Sequence, residues 1–214
     1  GTILIVLVFL AIFAQWIAPH SYSYQNLELG AQPPSSDFLL GTDTLGRDLF
    51  SRILYGARVS LLVGFVATSV ALVIGVSWGI VAGYFGGRID SVMMRIVDIL
   101  YGLPFIIFII LLMVIFGRNI WLLFGAIGAV EWLTMARIVR GQVLTVKTQE
   151  YVLAAQAMGV SNLQMFRKHI YPNILGPIAV YATLTIPQVM LLEAFLSFLG
   201  LGIQPPMSSW GTLI

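Results

Sequence analysis

Three stretches of this chain contain no charged side chain: between Arg58 and Arg88, between Asp98 and Arg118, and between Lys168 and Glu193. Each reaches or approaches the ~20 residues that carry a helix across a hydrocarbon core. Composition agrees, with 59% hydrophobic and 9% charged residues in 214, where a soluble domain carries roughly 25% charge. Too little polar surface remains to coat a water-soluble globule. Residues 2–18 add an uncharged first span and residues 120–136 another, interrupted only by Glu131, so five spans are expected. The first lacks the basic leader and small-residue cleavage pattern of a secretory signal. The chain begins at Gly1 and stops inside the uncharged run 194–214; its natural start and a further final span are expected to lie outside it.

Lys and Arg in the loops orient the spans. One side holds Arg88, Arg95, Arg137, Arg140, Lys147, Arg167 and Lys168; the other holds Arg47, Arg52, Arg58 and Arg118. The richer side is expected to be cytosolic, with these cations as loop anchors at headgroup level. Residues 19–57 then form an extracytoplasmic loop. Within 40–61, Leu49, Phe50, Ile53 and Leu54 alternate with Arg47, Asp48 and Arg52 at helical spacing, which predicts a short helix lying in the interface.

In the second span Ala67, Ala71, Gly75, Gly79, Gly83 and Gly87 recur every fourth residue. Such a ridge lets another helix approach its backbone, within the chain or across a subunit interface. Residues 86–98 read as a tight cytosolic turn followed by an amphipathic start. Pro104 and Pro187 fall inside apolar runs, where each favours a kink.

Residues 148–172 stand apart, a polar pair of short helices between two hydrophobic spans. Thr148 is expected to N-cap the first, with Glu150 in its first turn and Gly159 as the left-handed residue that ends it. Ser161 and Gln164 have capping-box spacing for the second, which Pro172 is expected to stop. Tyr151, Ala154, Ala155 and Met158 fall at i, i+3, i+4 and i+7 and form one apolar face. A compact knob of this kind on a membrane protein implies a soluble partner.

Two carboxylates lie at membrane depth. Glu131 is expected to face a water-filled cavity or a partner, either as a contact for a cationic cargo group or as a structural glutamate. Glu193 serves an outer gate, a docking partner or a hydrogen bond between helices. Lys147 and Lys168 follow Val146 and Arg167, so neither completes the Gly-Lys-Ser/Thr of a phosphate-binding loop. His20 and His169 fall on opposite sides of the membrane in this topology and share no metal. No nucleophile, base and orienting group stand together, cysteine is absent, and a net charge of +2 carries no nucleic-acid signal. The chain is expected to be neither an enzyme nor a holder of cofactor or metal.

Residues 150–172 resemble the EAA loop of ABC importer permeases, patterned Glu-Ala-Ala, three residues, Gly, nine residues, Ile, one residue, Leu-Pro. Ala154, Ala155, Gly159 and Pro172 occupy their places, while Leu153 stands for Glu, and His169 and Tyr171 for Ile and Leu. The wording of 40–61, of RKHIYPN at 167–173 and of FLSFLGLGIQPPMSSW at 195–210 is similar to the C-type permease subunits of oligopeptide and dipeptide importers.

That resemblance implies an all-α integral membrane bundle of the type I importer permease (MetI-like) kind in the bacterial inner membrane. Its core would cover 58–214. It further implies a heterodimer with a B-type permease, two cytosolic ATPases carrying ATP and Mg, and an extracytoplasmic binding protein that delivers peptide. Glu150, Tyr151, Ala154, Ala155, Met158, Gly159 and Pro172 would couple to the ATPases, with Glu131 and Glu193 as pathway candidates. Cargo stays open among oligopeptides, dipeptides, glutathione and nickel chelates. The competing class is an ion-coupled secondary transporter, which calls for paired carboxylates or broken helices at the midplane and an internal repeat.

Overall fold

Among the described residues every regular element is helical, and the one β-type pairing is an isolated bridge between Thr42 and Asp48. The computed structural model describes residues 2–117 and 119–213, and all their side chains except those of residues 3 and 4. Gly1, Ile214 and Arg118, the last one of the four cations counted for the outer side, lie outside the described residues.

Helices α1 (Thr2–Ile12) and α2 (Ala14–Ile17) carry no charged residue. Ile5, Phe9, Ile12 and Trp16 are exposed while Ala11 and Ala14 are buried, the distribution of a helix that meets lipid over most of its girth. α3 runs Leu49–Phe85 and α4 Gly87–Tyr101. α5 (Phe105–Phe116) is bent 75° from α4, and α6 spans Ile120–Lys147. The short α7 (Glu150–Ala157) and α8 (Asn162–Met165) follow, and a π-turn at Phe166–Ile170 leads into α9 (Tyr171–Phe198).

Three stretches, Leu49–Phe85, Ile120–Lys147 and Asn162–Phe198, are long and apolar enough to cross a membrane, and a fourth if the bent pair α4–α5 is one span. Five were expected from the charge gaps. The difference lies in residues 2–17, where a break at Phe13 leaves two helices, each shorter than the ~20 residues of a span.

The separate interfacial helix expected over 40–61 does not form. Residues 40–48 are loop, and α3 then continues unbroken for 37 residues, about 55 Å at 1.5 Å per residue. Neither a proline nor a left-handed glycine interrupts it. Asp48 caps its start, with the Ser51 N–H donating to Asp48 Oδ2 at 3.0 Å. Gly86 and Gly87 end it at φ +67 and +54, backbone that L side chains rarely adopt. Gly87 therefore leaves the small-residue ridge and opens α4 instead.

Two prolines also act differently from expectation. Pro104 follows the break between α4 and α5 rather than kinking one helix; it bars Leu103 from the helical region, and its carbonyl accepts the first bond of α5 from Phe108 N at 3.1 Å. Pro172 does not stop the second knob helix. The chain stays helical because the π-turn replaces i→i−4 bonds by longer ones, Tyr171 N reaching back to Phe166 O. Pro187 does lie inside α9, and so does Pro177.

The chain divides into two units. The first comprises residues 1–65, 113–123 and 188–214. In it the segment after α9 packs on the beginning of α3: Trp210 Nε1 donates to Ile53 O at 3.1 Å, Trp210 N to Ser60 Oγ at 3.0 Å, and Ser208 Oγ to Arg52 O at 3.2 Å. The second comprises residues 66–112 and 124–187. There the ridge of α3 lies on α6 of the same chain. A Cβ on Gly75 would meet Trp132 O at 2.7 Å, one on Gly79 would meet Ala136 O at 2.6 Å, and one on Gly83 would meet Val143 Cβ at 2.9 Å. Ala67 and Ala71 are fully buried. Transfer from lipid to protein offers apolar groups little, so this association rests on dispersion gained by close approach, which only small residues permit.

Candidate functional site

The knob is built by its backbone rather than by side-chain caps. Gln149, not Thr148, is the N-cap of α7, in extended conformation, and its carbonyl accepts from Val152 N and Leu153 N. Thr148 Oγ1 instead donates backward to Thr145 O at 2.9 Å, closing the end of α6. Gly159 has φ +78. Its N–H donates to Gln156 O and Val160 N–H to Ala155 O, the paired bonds of a Schellman ending. Ser161 stands at the N-cap of α8, but no side-chain cap bond forms, so the capping box with Gln164 does not close.

The expected apolar face of α7 splits in two. Val152 and Ala155 point inward and are buried, in one cluster with Val139, Val143, Val146, Met165, Ile170 and Ile174. Leu72, Val76, Ile80 and Tyr84 of α3 pack against that cluster. Tyr151, Leu153 and Met158 point outward, Met158 77% exposed, with Ala154 beside them and Leu163 of α8 following at 65%. Ala155 therefore belongs to the chain's own core, whereas Tyr151, Ala154 and Met158 line an outer apolar surface. Arg167 and Lys168 are exposed next to it, as are Glu150 at its start and Pro172 beyond its end.

All three cations of α6 have partners within the chain. Arg140 binds Asp90 through Nε–Oδ1 at 2.5 Å and Nη2–Oδ2 at 2.6 Å. Arg137 Nη2 donates to Asp98 Oδ1 at 2.8 Å, with its guanidinium 4.2 Å from the centre of the Tyr101 ring. Lys147 Nζ donates to Tyr84 O at 2.6 Å and Gly83 O at 3.3 Å, neutralising the orphan carbonyls at the end of α3. α4 and the end of α3 are thus pinned to α6, which holds the knob.

The two carboxylates at depth differ. Glu131 on α6 is half-buried and has no ion pair among the described residues. Glu193, in the first unit, is completely buried. Its Oε1 accepts from Ser197 Oγ at 2.5 Å and Ser209 Oγ at 2.8 Å, while Oε2 has no partner among the described residues. Of the readings open to Glu193, the hydrogen-bonding one describes this geometry, except that the bond ties helix to loop rather than helix to helix.

Sequence pattern missed a polar cluster in the loop before α3. Asp43 Oδ1 accepts from Leu45 N and Arg47 N, and its Oδ2 accepts from Arg47 Nε at 2.7 Å and Arg52 Nη1 at 2.6 Å. Burial by itself raises the Asp43 pKa, but hydrogen bonds from the Arg47 backbone and side chain and from the Leu45 backbone outweigh it and hold the carboxyl below its ordinary value. The Asp-x-Leu-x-Arg spacing was the available signal, the mark of a turn whose aspartate bonds its own following amides.

Comparison with known proteins bears on both units. Residues 75–214 match the model of the family described as binding-protein-dependent transport system inner membrane component, and residues 1–34 match the N-terminal TM domain of oligopeptide transport permease C. The chain is 50% identical over 211 residues to the dipeptide transport system permease protein of Bacillus subtilis, covering 99% of this chain and 66% of that protein. It is 49% identical over 214 residues to the oligopeptide transport system permease protein of the same organism, covering 100% and 70%. The oligopeptide permease protein of Escherichia coli K12 is 49% identical over 216 residues, covering 99% and 72%. The chain thus spans about two thirds of the length of these relatives. With a family match over most of its residues and relatives at half identity, this helical membrane chain belongs to the binding-protein-dependent transport system inner membrane components.

Proposed function

We propose that the chain is the permease subunit of an ATP-driven peptide importer in a bacterial inner membrane. It forms the translocation pathway with a second, B-type permease and takes up energy through the knob at residues 148–172. The observation that carries this reading is the two-faced α7, whose Tyr151, Leu153 and Met158 are turned out while Val152 and Ala155 are built into the core shared by α3, α6 and α9. An outward apolar face fits the groove of a soluble ATPase, in the manner of a helix laid into a groove. The inward face seats the knob on the helices that hold it. ATP and Mg belong to two partner ATPases, and an extracytoplasmic binding protein brings the cargo. The names of the relatives favour oligopeptides or dipeptides as that cargo.

The test is co-expression with the neighbouring transport genes and purification of the complex. Two ATPases should co-purify, and hydrolysis in vesicles should rise when binding protein and peptide are present on the opposite face from the knob. A preparation that transports peptide on an ion gradient without ATP would overturn the reading. Orientation is tested separately with single cysteines at the exposed Ser161 and Ser36. In a chain without native cysteine, an impermeant reagent should reach them from opposite faces.

A further inference from the structure

The knob continues by covalent chain into two helices, into α6 through Thr148–Gln149 and into α9 through the π-turn. α3 has no such continuity, yet its end is held at the same place. Tyr84, one residue before that end, donates its hydroxyl to Asn162 O of α8 at 2.8 Å. Its ring meets Phe166 of the π-turn edge-to-face, with centroids 5.9 Å apart. Its carbonyl accepts from Lys147 Nζ at 2.6 Å, and the same ammonium lies 5.7 Å from the centre of its ring. One side chain thus meets the knob, the end of α6 and the entry to α9. Aside from packing in the apolar cluster, Tyr84 and the two carbonyls held by Lys147 are the polar ties of α3 to this corner among the described residues.

We propose that Tyr84 is a positioning residue for transport, the link that makes α3 follow the knob when the ATPases move it. The assignment rests on the importer reading above. A displacement entering at the outer face of α7 reaches α6 and α9 along the chain, whereas α3 has no covalent continuity with the knob and receives it through non-covalent contacts: the glycine ridge on α6, Lys147 and Tyr84. The hydroxyl bond to Asn162 O is the directional part of that linkage, since apolar packing alone permits sliding. α3 in turn lies on α6 along Gly75, Gly79 and Gly83, so loss of the Tyr84 bond would let the knob shift against the end of α3 while that ridge holds α3 on α6.

Two measurements test this in the complete complex reconstituted with its ATPases and binding protein. Tyr84→Phe keeps the ring and removes the hydroxyl. Peptide taken up per ATP hydrolysed should fall about fivefold, the weight of one hydrogen bond, while the ATPases still co-purify. Spin labels at Val81→Cys and Leu163→Cys, both exposed, report whether α3 and the knob travel together. With native Tyr84 their separation should be the same in nucleotide-free and ATP-bound states; with Tyr84→Phe it should broaden or change between them. Wild-type stoichiometry in Tyr84→Phe, or a label separation that changes between states with Tyr84 present, would overturn the assignment. Absence of ATP-driven uptake in the wild-type complex would instead overturn the importer reading, and the assignment with it.

Discussion

Arg140 holds Asp90 with two guanidinium nitrogens, at 2.5 and 2.6 Å, so that the first turn of α4 is pinned to the middle of the knob-proximal half of α6. Asp90 is 9% exposed. The pair helps fix the direction in which the chain leaves the Gly86–Gly87 turn, together with Val97 and Met94 of α4, which pack on Ala71, Trp132, Leu133 and Ala136, while Ile89, Val92, Ile96 and Ile99 on the outer side are exposed.

Removing one partner strands a nearly buried carboxylate. Arg140→Ala should therefore destabilise the chain by about 1–3 kcal/mol, less than the fully buried case because the arginine is one-third exposed. Arg140→Lys should restore only part of this, since an ammonium cannot form the two parallel bonds. Thermal unfolding in detergent measures it. Asp90→Ala combined with Arg140→Ala should recover stability relative to Arg140→Ala alone, and a strictly additive double mutant would refute the pairing as the cause.

Gly79→Leu should damage the chain itself rather than only its assembly with a second permease. Even the first carbon of a side chain there would sit 2.6 Å from Ala136 O and 2.9 Å from Arg140 N, and backbone cannot yield as a flexible side chain can. The expected cost is about 3 kcal/mol or more, at the upper end for overpacking. Gly141→Ala is the control, because a Cβ there meets nothing within 4 Å. Stability of the separately purified chain distinguishes the two.

On the knob, inward and outward positions should give different defects. Ala155→Trp forces an indole into a site that is 2% exposed and should unfold the knob or reduce recovery of the chain. Met158→Glu, at the 77% exposed position, should leave folding intact and abolish ATPase co-purification. Gly159→Val strains a residue at φ +78 by about 1–3 kcal/mol. Melting temperature and ATPase pull-down, taken together, separate these outcomes.

Asp43 makes the loop before α3 acid-sensitive. Its folded pKa lies below the ordinary value, so its stabilisation is complete above the unfolded pKa, about 3.9. It is lost as pH falls through the lower folded value. The stability difference between wild type and Asp43→Asn should be constant from about pH 8 to pH 5 and shrink below about pH 4. A difference that instead vanished on the alkaline side would contradict the hydrogen bonds from Leu45, Arg47 and Arg52.

Much of this architecture is legible in the sequence. Charge-free runs located α3, α5 and α9, and a run interrupted only by Glu131 located α6, because a membrane tolerates few charges on a spanning helix. Gly159 was legible because a left-handed ending leaves few other residues to choose from. Thr148, Ser161 and Pro172 misled, since each was read from a local preference that a neighbour overrode. Thr148 turns back to Thr145, Ser161 leaves its cap unmade, and a π-turn carries the helix past Pro172.

Sequence alone determined that the chain is helical, membrane-bound and furnished with a polar knob, because hydropathy and glycine geometry act within a few residues of where they are written. Which way each side chain faces was decided by the tertiary structure. Ala154 and Ala155 are adjacent alanines on one short helix, and only the packing of α3, α6 and α9 makes one outer surface and the other core. Likewise Arg137, Arg140 and Lys147 carry the same sign as any loop cation, and only their distance to Asp98, Asp90 and the end of α3 turns them into clamps. Coulomb attraction and close packing depend on separation in space, and residues 39, 50 and 63 positions apart along the chain have no local code for it.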